Sequence, residues 1–86
     1  MISIEYSPKF LRKLKRLEVS IQKKAEVRIG LFKERKNHQV LRVHKLHGLL
    51  SNRHAFSVDH KYRVVFKYNS DNDVALLSID DHDIYK

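Results

Sequence analysis

Ile2-Ser3-Ile4-Glu5-Tyr6-Ser7-Pro8-Lys9-Phe10-Leu11 holds the change of period that decides the fold. Ile2, Ile4 and Tyr6 alternate with Ser3 and Glu5, the period of two expected of a strand with one buried face. Ser7-Pro8 then reads as a helix start. The serine hydroxyl can accept a backbone N–H of the first turn, and proline at the first helical position has no N–H to leave unpaired. From there the period lengthens: Phe10, Leu11, Leu14 and Leu17 recur at helical spacing, with Lys9, Arg12, Lys13, Lys15 and Arg16 on the other face. A strand therefore runs straight into a short amphipathic helix, about Pro8 to Leu17.

Working outward, Ser20 is the next cap candidate, after which Ile21, Ala25, Ile29 and Phe32 mark one face, flanked by Val27 and Leu31. This second helix is expected to reach Lys36 or Asn37, with Gly30 inside it costing about 1 kcal/mol against alanine. Two antiparallel helices with apolar faces need a sheet to cover, and the second half of the chain supplies it. Arg53 to Val58 alternates, Tyr62 to Tyr68 is β-branched and aromatic, and Val74 to Asp80 follows a polar turn at Asn69 to Asp73. The short links at Asp59 to Lys61 and Asn69 to Asp73 imply an antiparallel meander with the first strand beside it. Gln39 to Leu50 reads as partly extended, ending in a turn at Gly48. The expectation is a single α+β domain over residues 1–86, in the order β-α-α-β-β-β, with a helical hairpin packed on a small, mainly antiparallel twisted sheet.

The chain has 86 residues, enough for one small core, and a net charge of +8. That charge is uneven, +9 over residues 1–50 and −1 over residues 51–86. An excess of this size favours a polyanionic partner, or an acidic protein that masks it; a solvated basic helix face is the plainer alternative. With no cysteine, disulfides and thiolate zinc sites are excluded. No apolar run approaches the roughly 18 residues of a membrane span, and Met1 to Tyr6 lacks the layout of a signal peptide, so a cytoplasmic location is expected. Glycine-rich phosphate loops, dinucleotide fingerprints, serine elbows and zinc-finger spacings are all missing.

What chemistry there is lies with histidine and arginine. Five of the six histidines, His44, His47, His54, His60 and His82, fall in the second half, among Lys45, Arg53, Lys61 and Arg63. Imidazole exchanges a proton near pH 7 without help from its surroundings, so this mixture suits chemistry on an anion. In Tyr62-Arg63-Val64-Val65-Phe66-Lys67, alternation sets Arg63, Val65 and Lys67 on the face away from the helices, leaving Arg63 on an open face of a central strand. There it is a preorganised fork for a phosphate, or half of a salt bridge to Asp59, Asp80, Asp81 or Asp83. His82 sits among Asp80, Asp81 and Asp83, as a proton donor or as a surface tail residue. His44 and His47 are three apart, a spacing that also serves a metal, although the surrounding cations oppose one. His54 shares a face with Phe56 and Val58 and reads as structural; His60 and Lys61 fall in a hairpin turn. Without a carboxylate pair for magnesium, phosphate chemistry here would run on His, Arg and Lys alone, which is far easier on RNA because its 2′-OH is an internal nucleophile.

With this order of elements and these residues in hand, the chain resembles the RelE/ParE toxin superfamily of bacterial type II toxin–antitoxin systems, and within it the RelE and YafQ-like mRNA interferases. The likeness runs along nearly the whole chain. It rests on the first strand, Ser7-Pro8-Lys9-Phe10 opening a helical hairpin, Lys45-Leu46-His47-Gly48, the strand Tyr62-Arg63-Val64-Val65-Phe66, and the ending His82-Asp83-Ile84-Tyr85-Lys86. The resemblance implies a toxin that cleaves mRNA in the ribosomal A site without metal or cofactor, and an acidic antitoxin partner forming a hetero-oligomer. It assigns Arg63 to phosphate stabilisation and His82 to general acid or base. His44 becomes the second proton carrier, and Tyr85 stacks on a base or orients the phosphate. Lys45, His47, Arg53, His60, Lys61 and Lys86 would line the RNA. The chain departs from the pattern in three places: Lys61-Tyr62 stands where YafQ-like toxins carry Asp-Trp, Asp80 stands where glycine is frequent, and the late arginine of RelE is missing. A ParE-like gyrase inhibitor and a basic RNA-binding module without catalysis are the competing readings.

Overall fold

The computed structural model describes residues 1–48 and 52–81. Ser3–Tyr6 forms β1 and leads directly into α1, Pro8–Lys15. Ser7 is the cap, its Oγ accepting the Phe10 N–H at 3.0 Å. The Ser7 N–H also donates to the Leu76 carbonyl at 3.1 Å and its Oγ–H to the Leu77 carbonyl at 3.2 Å, so one residue both starts the helix and pins it to the sheet. Helix α1 stops short of Leu17, which nevertheless packs against the core.

Helix α2 spans Val19–Phe32 and corrects two expectations. Its cap is Glu18, whose carbonyl accepts the Ile21 and Gln22 N–H groups, so Ser20 lies inside the first turn. It also ends at Phe32, well before Lys36. The reason is packing. Phe32 is fully buried, stacked between His38 at 4.6 Å and Phe56 at 4.7 Å. The chain turns back over it, with Asn37 Nδ2 donating to the Leu31 carbonyl at 2.9 Å and His38 Nε2 to the Phe32 carbonyl at 2.7 Å. These bonds satisfy carbonyls that a helix end leaves open. Arg35–Asn37 is a single 3-10 turn.

The sheet has five strands in the order β1-β5-β4-β3-β2, where β2 is His44–Lys45, β3 His54–Ser57, β4 Tyr62–Ser70 and β5 Asp73–Asp81. Strand β1 runs parallel to β5, and the other pairs are antiparallel. The two-residue β2 is an addition to the expected order, within the segment read as partly extended. Gly48, with φ of 75°, has the left-handed backbone expected of a turn.

One face of the sheet carries the main core. Phe56, Val64, Phe66, Val74, Leu76 and Ile79 meet Phe10, Ala25, Ile29 and Phe32 from the helices. Leu76 and Ile79 are three residues apart, so simple alternation cannot send both inward. A bulge resolves this: Phe66 pairs with Leu76 and Val65 with Ser78, leaving Leu77 as the extra residue. Beyond the bulge Ile79 faces the core, while Ser78 and Asp80 turn to the opposite face. There a smaller apolar patch of Leu46, Ala55 and Val65 gathers.

Candidate active site

The face opposite the helices is laid out in rows by the strand register. One row runs Ser57, Arg63, Asp80 across β3, β4 and β5; the next runs His44, Ala55, Val65, Ser78 from β2 to β5. Continuing one pair further along β3 and β4 sets Arg53 beside Lys67. Arg63, His44 and Arg53 therefore share one face, as alternation and pairing require. From strand spacing and rise, the Cα atoms of His44 and Arg63 lie about 12 Å apart.

Arg63 corrects the expectation of an open face. It is 5% exposed, and Asp80, opposite it in register, is 6% exposed. Arginine on the middle strand of five is flanked on both sides by paired neighbours, and its charge is thereby held in a medium that strengthens its pull on an anion. Asp80 in turn forms an ion pair with Lys13 of α1. Helix α1 reaches it because β1 pairs only with the first part of β5, leaving the rest of that strand for the helix to cover.

His44 is exposed on the edge strand. Its Nδ1 lies 2.8 Å from the Arg42 carbonyl, which can only accept. Nδ1 therefore carries the proton in the neutral ring, and the lone pair is on Nε2. Arg42 holds this geometry from a left-handed backbone, φ 59°, uncommon for a residue with a side chain.

The remaining sequence candidates separate by position. Lys45 is exposed and pairs with His54, which sets it on the other parity from His44. His47 is exposed just past β2, and Arg53 is half-buried. His60 and Lys61 are exposed in the β3–β4 turn, as expected. Asp59 ties that turn, its Oδ1 accepting the N–H groups of Tyr62 at 2.7 Å and Lys61 at 2.8 Å. Burial works to raise the Asp59 pKa, but those two hydrogen bonds and the charges of Lys24 and His60 outweigh it and hold the carboxyl below its ordinary value. His54 is structural, as its alternation suggested: it stacks on Phe66 at 5.6 Å and meets Tyr68 edge-on at 5.0 Å. Burial, then the charges of Lys45 and His44, push its pKa down. His82, Tyr85 and Lys86 lie outside the described residues. Among the described residues no three histidines or acids gather as they would around a metal ion.

Three cations escaped the sequence reading. A groove of about 460 Å³, lined by Arg28, Val40, Arg42, Ser57, Val58, Asp59 and His60, opens beside Ser57, the register neighbour of Arg63. Arg28 is fixed there, its Nε donating to the Ser57 carbonyl at 3.0 Å. Nothing in the sequence brings Arg28 and Arg42 to His60, because the meeting depends on how the loop after α2 returns to β3. Lys67 is different. Its shared parity with Arg63 was visible, and only the register with Arg53 gave it a place.

No family model matches this chain, and no curated protein does. Solved structures do. YafQ from E. coli strain BL21(DE3) superposes with a TM-score of 0.75 at 17% identity, covering 98% of this chain and 97% of that one. A chain of the YoeB-YefM complex from Staphylococcus aureus gives 0.72 at 19%, covering 95% and 98%. One from the toxin-antitoxin complex RelBE2 of Mycobacterium tuberculosis gives 0.69 at 18%, covering 94% and 98%. Identities this low speak for the backbone alone, and along nearly its whole length this chain has the RelE-like fold that YafQ and YoeB share.

Proposed function

We propose that the chain is the toxin of a type II toxin–antitoxin pair and cleaves mRNA on the ribosome in the cytoplasm, without a metal, by attack of a ribose 2′-OH on its own 3′-phosphate. The observation that carries this reading is the buried Arg63 on the central strand, on the same face as an exposed histidine whose Nδ1 is anchored to a backbone carbonyl. In the proposed reaction His44 Nε2 takes the 2′-OH proton as the oxygen bonds to phosphorus. Arg63 offsets the charge that grows on the non-bridging oxygens, the largest electrostatic demand of the step. The P–O5′ bond then breaks and the leaving oxygen takes a proton, a role for which sequence resemblance favours His82. The products are a 2′,3′-cyclic phosphate and a 5′-OH end. Tyr85 would orient the phosphate or stack on a base, and Arg53, Lys45, His47, His60, Lys61 and Lys86 would hold the strand. Lys67, Arg28 and Arg42 join them from their positions in the fold.

An acidic antitoxin fits both the charge of +8 and the description of three structural relatives as members of toxin–antitoxin complexes. The test is brief expression in bacteria with mapping of mRNA 5′ ends. New 5′-OH ends inside reading frames, lost in Arg63→Ala with folding retained, are expected. Unchanged mRNA, or full cleavage by Arg63→Ala, would refute the reading.

A further inference from the structure

Between α2 and β2 the chain turns at a residue that glycine would normally supply. The Val43 N–H donates to the His38 carbonyl at 3.0 Å and the Arg42 N–H to the Gln39 carbonyl at 3.1 Å. This nested pair of bonds closes a helical turn through one left-handed residue, and glycine is its usual occupant. Here the residue is Arg42, at φ 59°. The Cβ of any side chain crowds the backbone in that conformation, so arginine is held where glycine would be more stable. Nothing in the described fold explains the choice. The Arg42 carbonyl accepts from His44 Nδ1, but a glycine carbonyl would do the same. The Arg42 side chain is exposed, and no hydrogen bond or ion pair among the described residues holds its guanidinium.

What Arg42 shares is a groove, with Arg28 and His60. Arg28 reaches it from α2, fixed by the bond from its Nε to the Ser57 carbonyl at 3.0 Å, while its terminal amino groups have no partner among the described residues. His60 is exposed in the β3–β4 turn, and an imidazole has a ring N–H to donate whether neutral or charged. The acid in the lining, Asp59, is already engaged: its Oδ1 accepts the N–H groups of Lys61 and Tyr62, and its Oδ2 lies 4.0 Å from Lys24 Nζ. Two guanidinium groups and an imidazole around such a groove make an anion site, and the guanidinium fork suits the paired oxygens of a phosphate.

Ser57 sets where this site lies. Its N–H donates to the Leu41 carbonyl at 2.8 Å and its carbonyl accepts from Arg28, both on the side away from β4. Ser57 and Arg63 are therefore a non-hydrogen-bonded cross-strand pair, the closer kind, with Cα atoms about 4.5 Å apart. The groove opens on the outer side of β3, one strand over from Arg63.

We infer that Arg28, Arg42 and His60 form a second phosphate site, which holds a phosphodiester of the RNA strand neighbouring the one that is cleaved. The inference rests on the cleavage reading above, which supplies the RNA.

The experiment measures binding of a short 2′-O-methyl RNA, which the proposed reaction cannot cut, to the full chain by fluorescence anisotropy over a range of salt, beside the Tm of each variant. Arg42→Gly should raise the Tm by a few degrees and weaken binding about tenfold. It should also make the slope of log K against log salt shallower by about 0.7, the value of one phosphate contact to a single strand. Stability and affinity then move in opposite directions, which an arginine serving the fold would not produce. Arg28→Gln should weaken binding and flatten the slope in the same way, whereas Arg42→Lys should keep most of the affinity at the Tm of the wild type. Lys36→Gln, an equal loss of charge on the exposed 3-10 turn, should leave affinity and slope unchanged.

An Arg42→Gly protein that binds the RNA as tightly as the wild type overturns the site. So does one that fails to gain stability, since arginine would then serve the turn itself. Equal losses in Lys36→Gln and Arg42→Gly assign the effect to net charge and overturn it too. Inorganic phosphate is the remaining probe. If it shifts the amide signals of the groove while RNA binding is indifferent to Arg28→Gln and Arg42→Gly, the ligand is a free anion and the RNA assignment is refuted. Failure of the cleavage reading shows separately, as wild-type protein that leaves mRNA intact on ribosomes, and the RNA affinities of the variants then judge the groove on their own.

Discussion

Two histidines in contact with the same sheet illustrate how surroundings divide one residue type into different tasks. His44 is anchored through Nδ1 and exposed at the edge, and in the proposed reaction its Nε2 takes the proton. His54 packs on Phe66 and Tyr68, and its Nδ1 is buried without a hydrogen-bond partner among the described residues. Its pKa is pushed below 6.5, chiefly by burial and then by Lys45 and His44, so the folded state favours the neutral ring. The unfolded chain then binds the proton more readily. The stabilisation is present above the unfolded value and is lost as the pH falls below it. Thermal unfolding followed from pH 7.5 down to about pH 5 should show a falling Tm, and His54→Phe should flatten that decline. An equal decline in both would assign it to other groups. Arg63 shows what could be read beforehand at this scale and what could not. Its parity with Val65 and Lys67 was plain in Tyr62 to Lys67, but alternation says nothing of how deeply it is buried, and the bulge that sets Asp80 opposite it leaves no mark in such a pattern.

Secondary structure was legible where a local signal decided it. Ser7-Pro8 is such a signal: the hydroxyl, the proline and the spacing of Phe10, Leu14 and Leu17 agree, and α1 begins where they say. Ser7→Ala removes the bond to the Phe10 N–H and the tie to the Leu77 carbonyl, and should cost about 1 kcal/mol, or a Tm lower by about 4–8 °C. An unchanged Tm would mean that the sheet alone holds α1. Where a distant contact decides, local pattern does not show it. The end of α2 follows from Phe32 entering a stack with His38 and Phe56, not from any breaker near Lys36. Strand β2 exists because His44 and Lys45 find Ala55 and His54, and two residues carry no period of their own.

The molecule as a whole sets a sheet face with Arg63, His44, Arg53 and Lys67 against an excess of positive charge that comes mainly from its first 50 residues. If that charge serves RNA, association with ribosomes should fall steeply between about 50 and 200 mM salt, as condensed ions are no longer released at a gain. Thermal stability should change little over the same range, because the fold rests on the core of Phe10, Phe32, Phe56 and Phe66. Co-sedimentation and unfolding at matched salt concentrations check both halves, and salt-insensitive association would remove the electrostatic argument. The same face carries the cleavage proposal, and the reaction has one atom on which everything turns. A ribosome-bound mRNA with a single 2′-deoxyribose at the mapped cut site, compared with its all-ribose twin, tests it directly. The expected result is cutting of the all-ribose strand to a 2′,3′-cyclic phosphate and no cutting at the deoxy position; cleavage of both strands at the same bond would refute attack by the 2′-OH.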